Sequence, residues 1–386
     1  MNLVWGIVIG VIALTVLVVL HELGHALVAR RNGVRVEEFG IGFPPAAYKK
    51  NVKKSFLGKN VVYSVNWLPL GGFVKLQGEH DDDKKPGDYG AATFWQKTKI
   101  LLAGVMMNWL TAVILLTILA WFGLPQLVPH QFTVASDTHV IYNPVVLASI
   151  EKDLPAENAG LKSGDAVISV NGEKIETSAQ LSEVSAAHKG EMVRVTYKRD
   201  GTERVAHVAL RSANDDKRGY LGAGLSQERL TRSTWSAPIV GVGVTMQLTG
   251  ITLQGLGQVI GDGVSGLVMK LMPNDSAQKQ ANQKLSSASQ SVGGPLSIFG
   301  ILFPAAERAG VRYVVMMTAL ISLTLAVMNI LPIPALDGGR WFVTAVFRLL
   351  KKPLTKEREE KIHGTGFLAL LLLVVLVTIS DVVKLL

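Results

Sequence analysis

Four stretches of this chain, residues 3–20, 100–124, 314–336 and 367–379, contain no ionisable side chain. A hydrocarbon core roughly 30 Å thick is crossed by about 20 helical residues. The first three stretches meet that length directly, and the fourth does so if its helix runs on past Asp381. The sequence therefore predicts an α-helical polytopic membrane protein with about four transmembrane helices. Composition agrees: 48% of the 386 residues are hydrophobic and 18% charged, less charge than a soluble domain carries.

The formal charge of +9 is explained by topology. Arg30, Arg31 and Arg35 follow the first apolar stretch, Lys97 and Lys99 precede the second, and seven Lys and Arg residues between 340 and 361 separate the last two. Basic residues beside spans mark the cytoplasmic side. No segment interleaves aromatic and basic residues as a single-strand-binding surface would, which excludes nucleic acid as a partner. The chain has no cysteine, so disulfides, thiolate metal sites and a cysteine nucleophile are excluded. The first stretch lacks the basic leader and small-residue cleavage site of a signal peptide. It reads as an uncleaved span with its N-terminus outside, and the segment 126–310 then lies outside as well.

Residues 1–125 are expected to form the first part of a membrane domain. Within it, 61–76 (VVYSVNWLPLGGFVKL) is rich in β-branched and aromatic residues, broken by Pro69 and Gly71-Gly72, and predicts a short hairpin or sheet. The acidic run 79–88 reads as a solvated turn rather than a metal site. Residues 137–227 have the pattern of a compact β-rich domain, with strand candidates at 145–150, 166–170, 193–198 and 205–210. Ala159-Gly160-Leu161 suits the end of a short helix, and Asn171-Gly172 a hairpin turn. Residues 228–310 read as an amphipathic or linker region, in which glycine-studded 235–272 is expected to lie on the membrane rather than cross it once. Residues 311–386 complete the membrane domain.

The chemistry is carried by His21-Glu22-Leu23-Gly24-His25. On a helix, positions i and i+4 share one face, so both imidazoles can reach one zinc ion. Glu22 stands where it can deprotonate a metal-bound water. The motif ends an apolar run, which puts His21 roughly 13 Å inside the cytosolic edge, a depth at which ionisable groups are costly and functional. Histidines acting as polar glue between helices are the structural alternative. A catalytic zinc takes a third protein ligand and keeps one position open. Asp337 is the carboxylate that ends a later span, in Asn329-Ile330-Leu331-Pro332-Ile333-Pro334-Ala335-Leu336-Asp337-Gly338-Gly339. Two prolines so close together unwind a helix, which is tolerated at membrane depth only against protein or a wet cavity.

HELGH in the first span and NILPIPALDGG in a later one resemble the site-2 protease family of intramembrane zinc metalloproteases, closest in type to the bacterial regulator-of-sigma proteases. Gly104 and Asn108 of the second span, the PLGGFVKL segment and Gly293-Gly294-Pro295 extend the resemblance. The run 155–168 followed by Asn171-Gly172 is similar to the hallmark stretch of bacterial PDZ domains. The resemblance implies a Zn2+ cofactor with His21, His25 and Asp337 as ligands, Glu22 as general base, and Asn329 as a substrate-positioning residue. It further implies a re-entrant β-hairpin at 61–76 and an extracytoplasmic PDZ-like domain that meets peptide or protein termini. The implied activity is cleavage of single-span membrane proteins, such as anti-sigma-type regulators or remnant signal peptides, in the cytoplasmic membrane. A zinc-free scaffold and a transporter are the rival classes; the transporter leaves HExxH without a purpose.

Overall fold

The computed structural model describes residues 2–216, 218–272, 274–291 and 293–385. In chain order the elements are α1 (Asn2–Arg31), β1 (Val36–Ser55), β2 (Gly58–Leu76) and α2 (Phe94–Phe122). Then follow β3 (Leu124–Pro125), β4 (His139–Tyr142), β5 (Val145–Ile150), α3 (Pro155–Asn158), β6 (Ala166–Val170) and β7 (Glu173–Lys174). Next come α4 (Ser178–Ala187), β8 (Met192–Arg199), β9 (Thr202–Ala209), β10 (Ala223–Ser226) and β11 (Arg229–Arg232). The rest is helical: α5 (Ala237–Lys270), α6 (Asp275–Ser291), α7 (Pro295–Ser297), a π turn (Ile298–Leu302), α8 (Phe303–Ala309), α9 (Val311–Asn329), α10 (Asp337–Leu349) and α11 (Lys356–Leu385). The chain divides into two compact units, Met1–Leu119 with Gly241–Leu386, and Ala120–Val240.

In the first unit, five helices among the described residues are long and apolar enough to cross a membrane: α1, α2, α5, α9 and α11. Of these, α1 and α11 contain their predicted apolar stretches, α2 stops two residues short of 124, and α9 covers only 314–329 of the stretch 314–336. The fifth is α5, which the sequence suggested would be surface-lying or loosely helical and which is instead continuous over 34 residues. Packing offsets the propensity cost at Gly241 and Gly266, whereas Gly250, Gly255, Gly257, Gly261 and Gly263 face open space. A Cβ on Gly241 would overlap Thr117 of α2, and Trp109 Nε1 donates to Thr249 Oγ1 at 3.2 Å. The direction of travel follows from these pairs. His25 and His21 meet Ile100 and Asn108, so α1 and α2 run antiparallel and Thr117 stands toward the N-terminal end of α1. Gly241 begins at that end. After α6 folds back on α5, with Lys284 Nζ 2.9 Å from Ser265 Oγ, Pro304 packs on Gly6 and Phe303 on Gly10. The stretch from 241 to 304 thus starts and finishes at the same end of the helical layer, and α9 leads back toward the histidines.

The two long strands fold into a compact sheet. Residues 38–41 are paired on one side with 62–65 and on the other with 72–75, while 62–65 also pair with 48–51. Residues 72–75 therefore form one edge, and that edge faces α1: Thr15 Oγ1 donates to Pro69 O at 2.8 Å, and Gly72 fits against Val19. Leu57, Val61, Val36 and Phe39 are buried with Ala26 and Ala29 of α1. Phe43, Trp67, Leu68 and Leu70, at the other end of the sheet, are exposed.

The acidic run 79–88 is a turn region with Asp82, Lys84, Lys85 and Pro86 exposed, but it is tied down at two aspartates. The Asp81 N–H donates to Glu359 Oε2 at 2.8 Å, Asp81 pairs with Lys97, and Asp88 is buried beneath Gln77 and Lys85. Local composition suggested solvation, but the buried Glu359 of α11 recruits this segment from far along the chain.

The second unit contains a six-stranded sheet of order β10-β5-β6-β8-β9, with β7 on β6, and a small sheet of order β3-β11-β4. Alternating side chains of β5, β6, β8 and β9 bury Val145, Leu147, Val167, Val195 and Val208 against Leu161, Leu181 and Leu221. Asn171 and Gly172 both have positive φ, 52° and 87°, as a tight two-residue hairpin requires. The edge strand β10 and the helix α4 line a cavity of about 610 Å³, walled by Ser178, Ser182, Ala223, Gly224 and Leu225.

Candidate metal centre

His21 and His25 lie one turn apart on α1 and are both 7% exposed, with their Nε2 atoms 3.1 Å from each other. Asp337 is the first residue of α10. Its Oδ2 lies 3.0 Å from Nε2 of His21 and 3.3 Å from Nε2 of His25. The three side chains each offer one donor atom, all within 4.8 Å of one another, and form the one such group among the described residues.

Two observations test whether the group fits a metal ion. Oδ2 of Asp337 is buried and accepts no hydrogen bond, which leaves an anionic oxygen in need of a cation. Gly104 supplies the space: a Cβ there would overlap Nε2 of His25 and stand 2.7 Å from Nε2 of His21. Two imidazoles and one carboxylate are a donor set suited to zinc with an open fourth position. The residues fit.

Neighbouring groups set the imidazole tautomers. Nδ1 of His25 is 2.7 Å from Ile100 O; a carbonyl can only accept, so Nδ1 carries the proton and Nε2 keeps its lone pair. Asn108 is 1% exposed, its amide lies against Nδ1 of His21 at 3.3 Å, and its Oδ1 lacks a partner. Amide oxygen and nitrogen are assigned by hydrogen bonding. With Oδ1 turned to the ring, Nδ1–H of His21 donates to it, the oxygen is satisfied, and Nε2 is free to ligate. Ser322 of α9 donates to Asn108 O at 2.8 Å, which ties this support to a third helix.

Glu22 stands between the two histidines in sequence, and its Oε2 accepts the Val74 N–H at 3.2 Å. The edge of the sheet thereby touches the carboxylate. Asn329 is the last residue of α9, half-buried, immediately before the break. The chain is unwound from Ile330 to Leu336, as the two prolines require. Ala335 sits at φ 82°, a conformation that costs a residue with a Cβ about 1 kcal/mol or more. Its N–H donates to Nδ1 of His363 at 3.2 Å, and Gly366 lets α11 lie directly on Pro334. Arg340, one turn beyond Asp337, donates to Glu79 O, pairs with Glu359 at 3.5 Å and covers the Tyr89 ring. His363, Gly366 and Arg340 carry no motif of their own, and nothing in the local sequence points to them.

The chain matches the model of peptidase family M50 over residues 9–373. It is 30% identical over 380 residues to a protein of Clostridium acetobutylicum named as a zinc metalloprotease, covering 98% of each chain. It is 27% identical over 460 aligned positions to zinc metalloprotease RasP of Geobacillus kaustophilus, covering 98% of each. To the regulator of sigma-W protease RasP of Bacillus subtilis it is 25% identical over 450 positions, covering 96% of each. The PDZ domain of an SdrC-like protein from Listeria monocytogenes is 28% identical and covers 22% of this chain and 92% of its own, with a TM-score of 0.20. The chain belongs to peptidase family M50, the site-2 protease family, and is a membrane zinc metalloprotease.

Proposed function

We propose that the chain cleaves single-span membrane proteins within the bilayer, with His21, His25 and Asp337 holding the zinc and Glu22 acting as general base. The observation that carries this reading is the convergence of three buried donor atoms from α1 and α10 beside Glu22. When bound, zinc would supply Lewis acidity and lower the pKa of a coordinated water. Glu22 takes the proton from the attacking water and returns it to the leaving amine. Ile100 O and Asn108 hold the two rings so that each Nε2 points inward. Asn329 binds a substrate carbonyl beside the break.

A helical substrate hides its scissile carbonyl in its own hydrogen bonds and must unwind before it can react. The sheet edge at 72–76 would replace those lost bonds by strand addition. That role suits a re-entrant sheet whose exposed apolar end, Phe43, Trp67 and Leu68, lies beside the middle of α1. The substrates are of the anti-sigma regulator or remnant signal-peptide kind. The domain at 137–227 lies outside the cell membrane, with α4 and the free edge of β10 as its peptide groove, and controls admission of substrates. The active site lies in the cytosolic half of the bilayer.

Proteomics of membrane fragments tests this directly, comparing wild type with Glu22→Gln. The variant is expected to retain zinc and lose all cleavage products, because glutamine keeps the shape but cannot accept a proton. Residual activity above a few per cent, roughly the least that loss of a general base costs, sinks the mechanism. Deleting residues 137–227 is expected to leave zinc bound and to broaden the set of cleaved proteins; an unchanged set removes the admission role.

A further inference from the structure

A second polar cavity, of about 300 Å³, lies where the first turn of α2 meets the last turn of α10 and the turn after it. Four cations line it, Lys84, Lys97, Arg348 and Lys352, against one carboxylate, Asp81. Two of the four are already engaged. Lys97 pairs with Asp81 and donates to Gly90 O at 3.0 Å, and Lys84 donates to Asp81 O and Gly90 O. Arg348 lies over the Phe94 ring at 5.0 Å. Among the described residues no carboxylate pairs with Arg348 or Lys352. Two cations therefore converge on a concavity whose one carboxylate, Asp81, is already paired with Lys97.

The surroundings say what kind of anion fits. Trp95 is 69% exposed, Leu349 82% and Leu350 58%, and these three flank Phe94 and Arg348 in the chain. Tryptophan and basic residues at the ends of apolar helices mark the headgroup level of a bilayer, and α2 is one of the long apolar helices. An amphipathic ligand places its phosphate among the cations and keeps its chains in the bilayer, at the level that Trp95 marks. We propose that this cavity is a binding site for the headgroup of an anionic phospholipid. Basic pockets between membrane helices take such headgroups.

The site bears on the metal centre through α10, which runs from Asp337 to Leu349. Trp341 Nε1 donates to Thr98 Oγ1 at 3.0 Å, so α10 already leans on α2. A headgroup held by Arg348 and Lys352 would brace the far end of the same helix.

The test is native mass spectrometry of the full-length chain, released from nanodiscs that contain equal phosphatidylglycerol and phosphatidylcholine. Wild type is expected to retain phosphatidylglycerol preferentially. The pair Arg348→Gln and Lys352→Gln should lower that preference roughly tenfold or more, since each basic group near the surface contributes a factor of about five. Arg348→Lys, which keeps the charge, should retain it and so separates charge from misfolding. Lys50→Gln with Lys53→Gln removes equal charge from the exposed sheet and should change nothing. Inorganic phosphate at millimolar concentration should not displace the lipid. Equal retention of the two lipids by wild type overturns the site. An equal loss in the Lys50 and Lys53 pair shows bulk charge instead, and displacement by free phosphate assigns the cavity to a soluble anion; either result also overturns it.

Discussion

Nε2 of His21 and Oδ2 of Asp337 lie 3.0 Å apart, although one belongs to the first helix of the chain and the other to the start of the tenth. Two bonds at about 2 Å to a common ion fit donor atoms at this spacing. The relationship also constrains the path of the chain, because Asp337 can reach that depth only if α9 runs in the same direction as α1.

Asp337→Ala is therefore expected to reduce zinc content far more than Asp165→Ala. The first removes a donor atom from the group of three; the second breaks an ion pair with Arg199 in the other unit. Metal analysis of both purified variants decides it, and equal zinc in the two would remove Asp337 from the site.

Gly104→Ala separates metal binding from helix stability. Alanine favours a helix over glycine by about 1 kcal/mol, so α2 itself should gain. The new Cβ would overlap Nε2 of His25, and the imidazoles must move. The expected outcome is a protein of normal or raised thermal stability in its apo form with sharply lower zinc occupancy. Wild-type occupancy in this variant would mean that the rings are placed otherwise.

The second unit should lose stability in acid. Burial alone would raise the Asp165 pKa, but the Arg199 guanidinium at 2.6 Å and the Lys162 N–H at 2.8 Å outweigh it and hold the carboxyl below its ordinary range. The folded pKa lies below the unfolded value of about 3.9. This contribution is thus complete above about pH 4 and is lost as the pH falls through the folded pKa. Hydrogen exchange of peptides from 145–210 in the full chain should rise below about pH 4. Asp165→Asn, which cannot titrate, should be less protected at neutral pH and show a flatter acid limb. An identical acid limb in the variant would falsify the assignment to Asp165.

Topology can be read by single-cysteine labelling, since the chain has no cysteine of its own. The stretch from Gly241 to Pro304 begins and ends at one end of the helical layer, so no net crossing occurs within it. Cysteines at Glu203 and Arg308, on either side of that stretch, are expected to react with an impermeant reagent from outside, and one at Arg358 only after permeabilisation. Protection of Arg308 together with Arg358 would mean that the stretch crosses once without return.

The local features were legible because their causes are local. HExxH puts two imidazoles on one helix face through the 3.6-residue repeat, two prolines unwind the chain before Asp337, and Asn171-Gly172 turns a hairpin through positive φ. The strands of the second unit and four of the five long helices follow from runs of apolar and β-branched residues in the same way. What only the tertiary structure decided are relationships between distant groups. The acidic run 79–88 looked free until Glu359 and Lys97 tied down Asp81, and the start of the glycine-rich 235–272 is fixed where Gly241 meets Thr117 of α2. The Val74 N–H on Glu22, the support of His21 by Asn108 and the grip of His363 on Ala335 join residues 28 to 87 positions apart. No periodicity or spacing encodes such pairs. They exist because burial leaves each polar group to find a partner wherever the fold brings one.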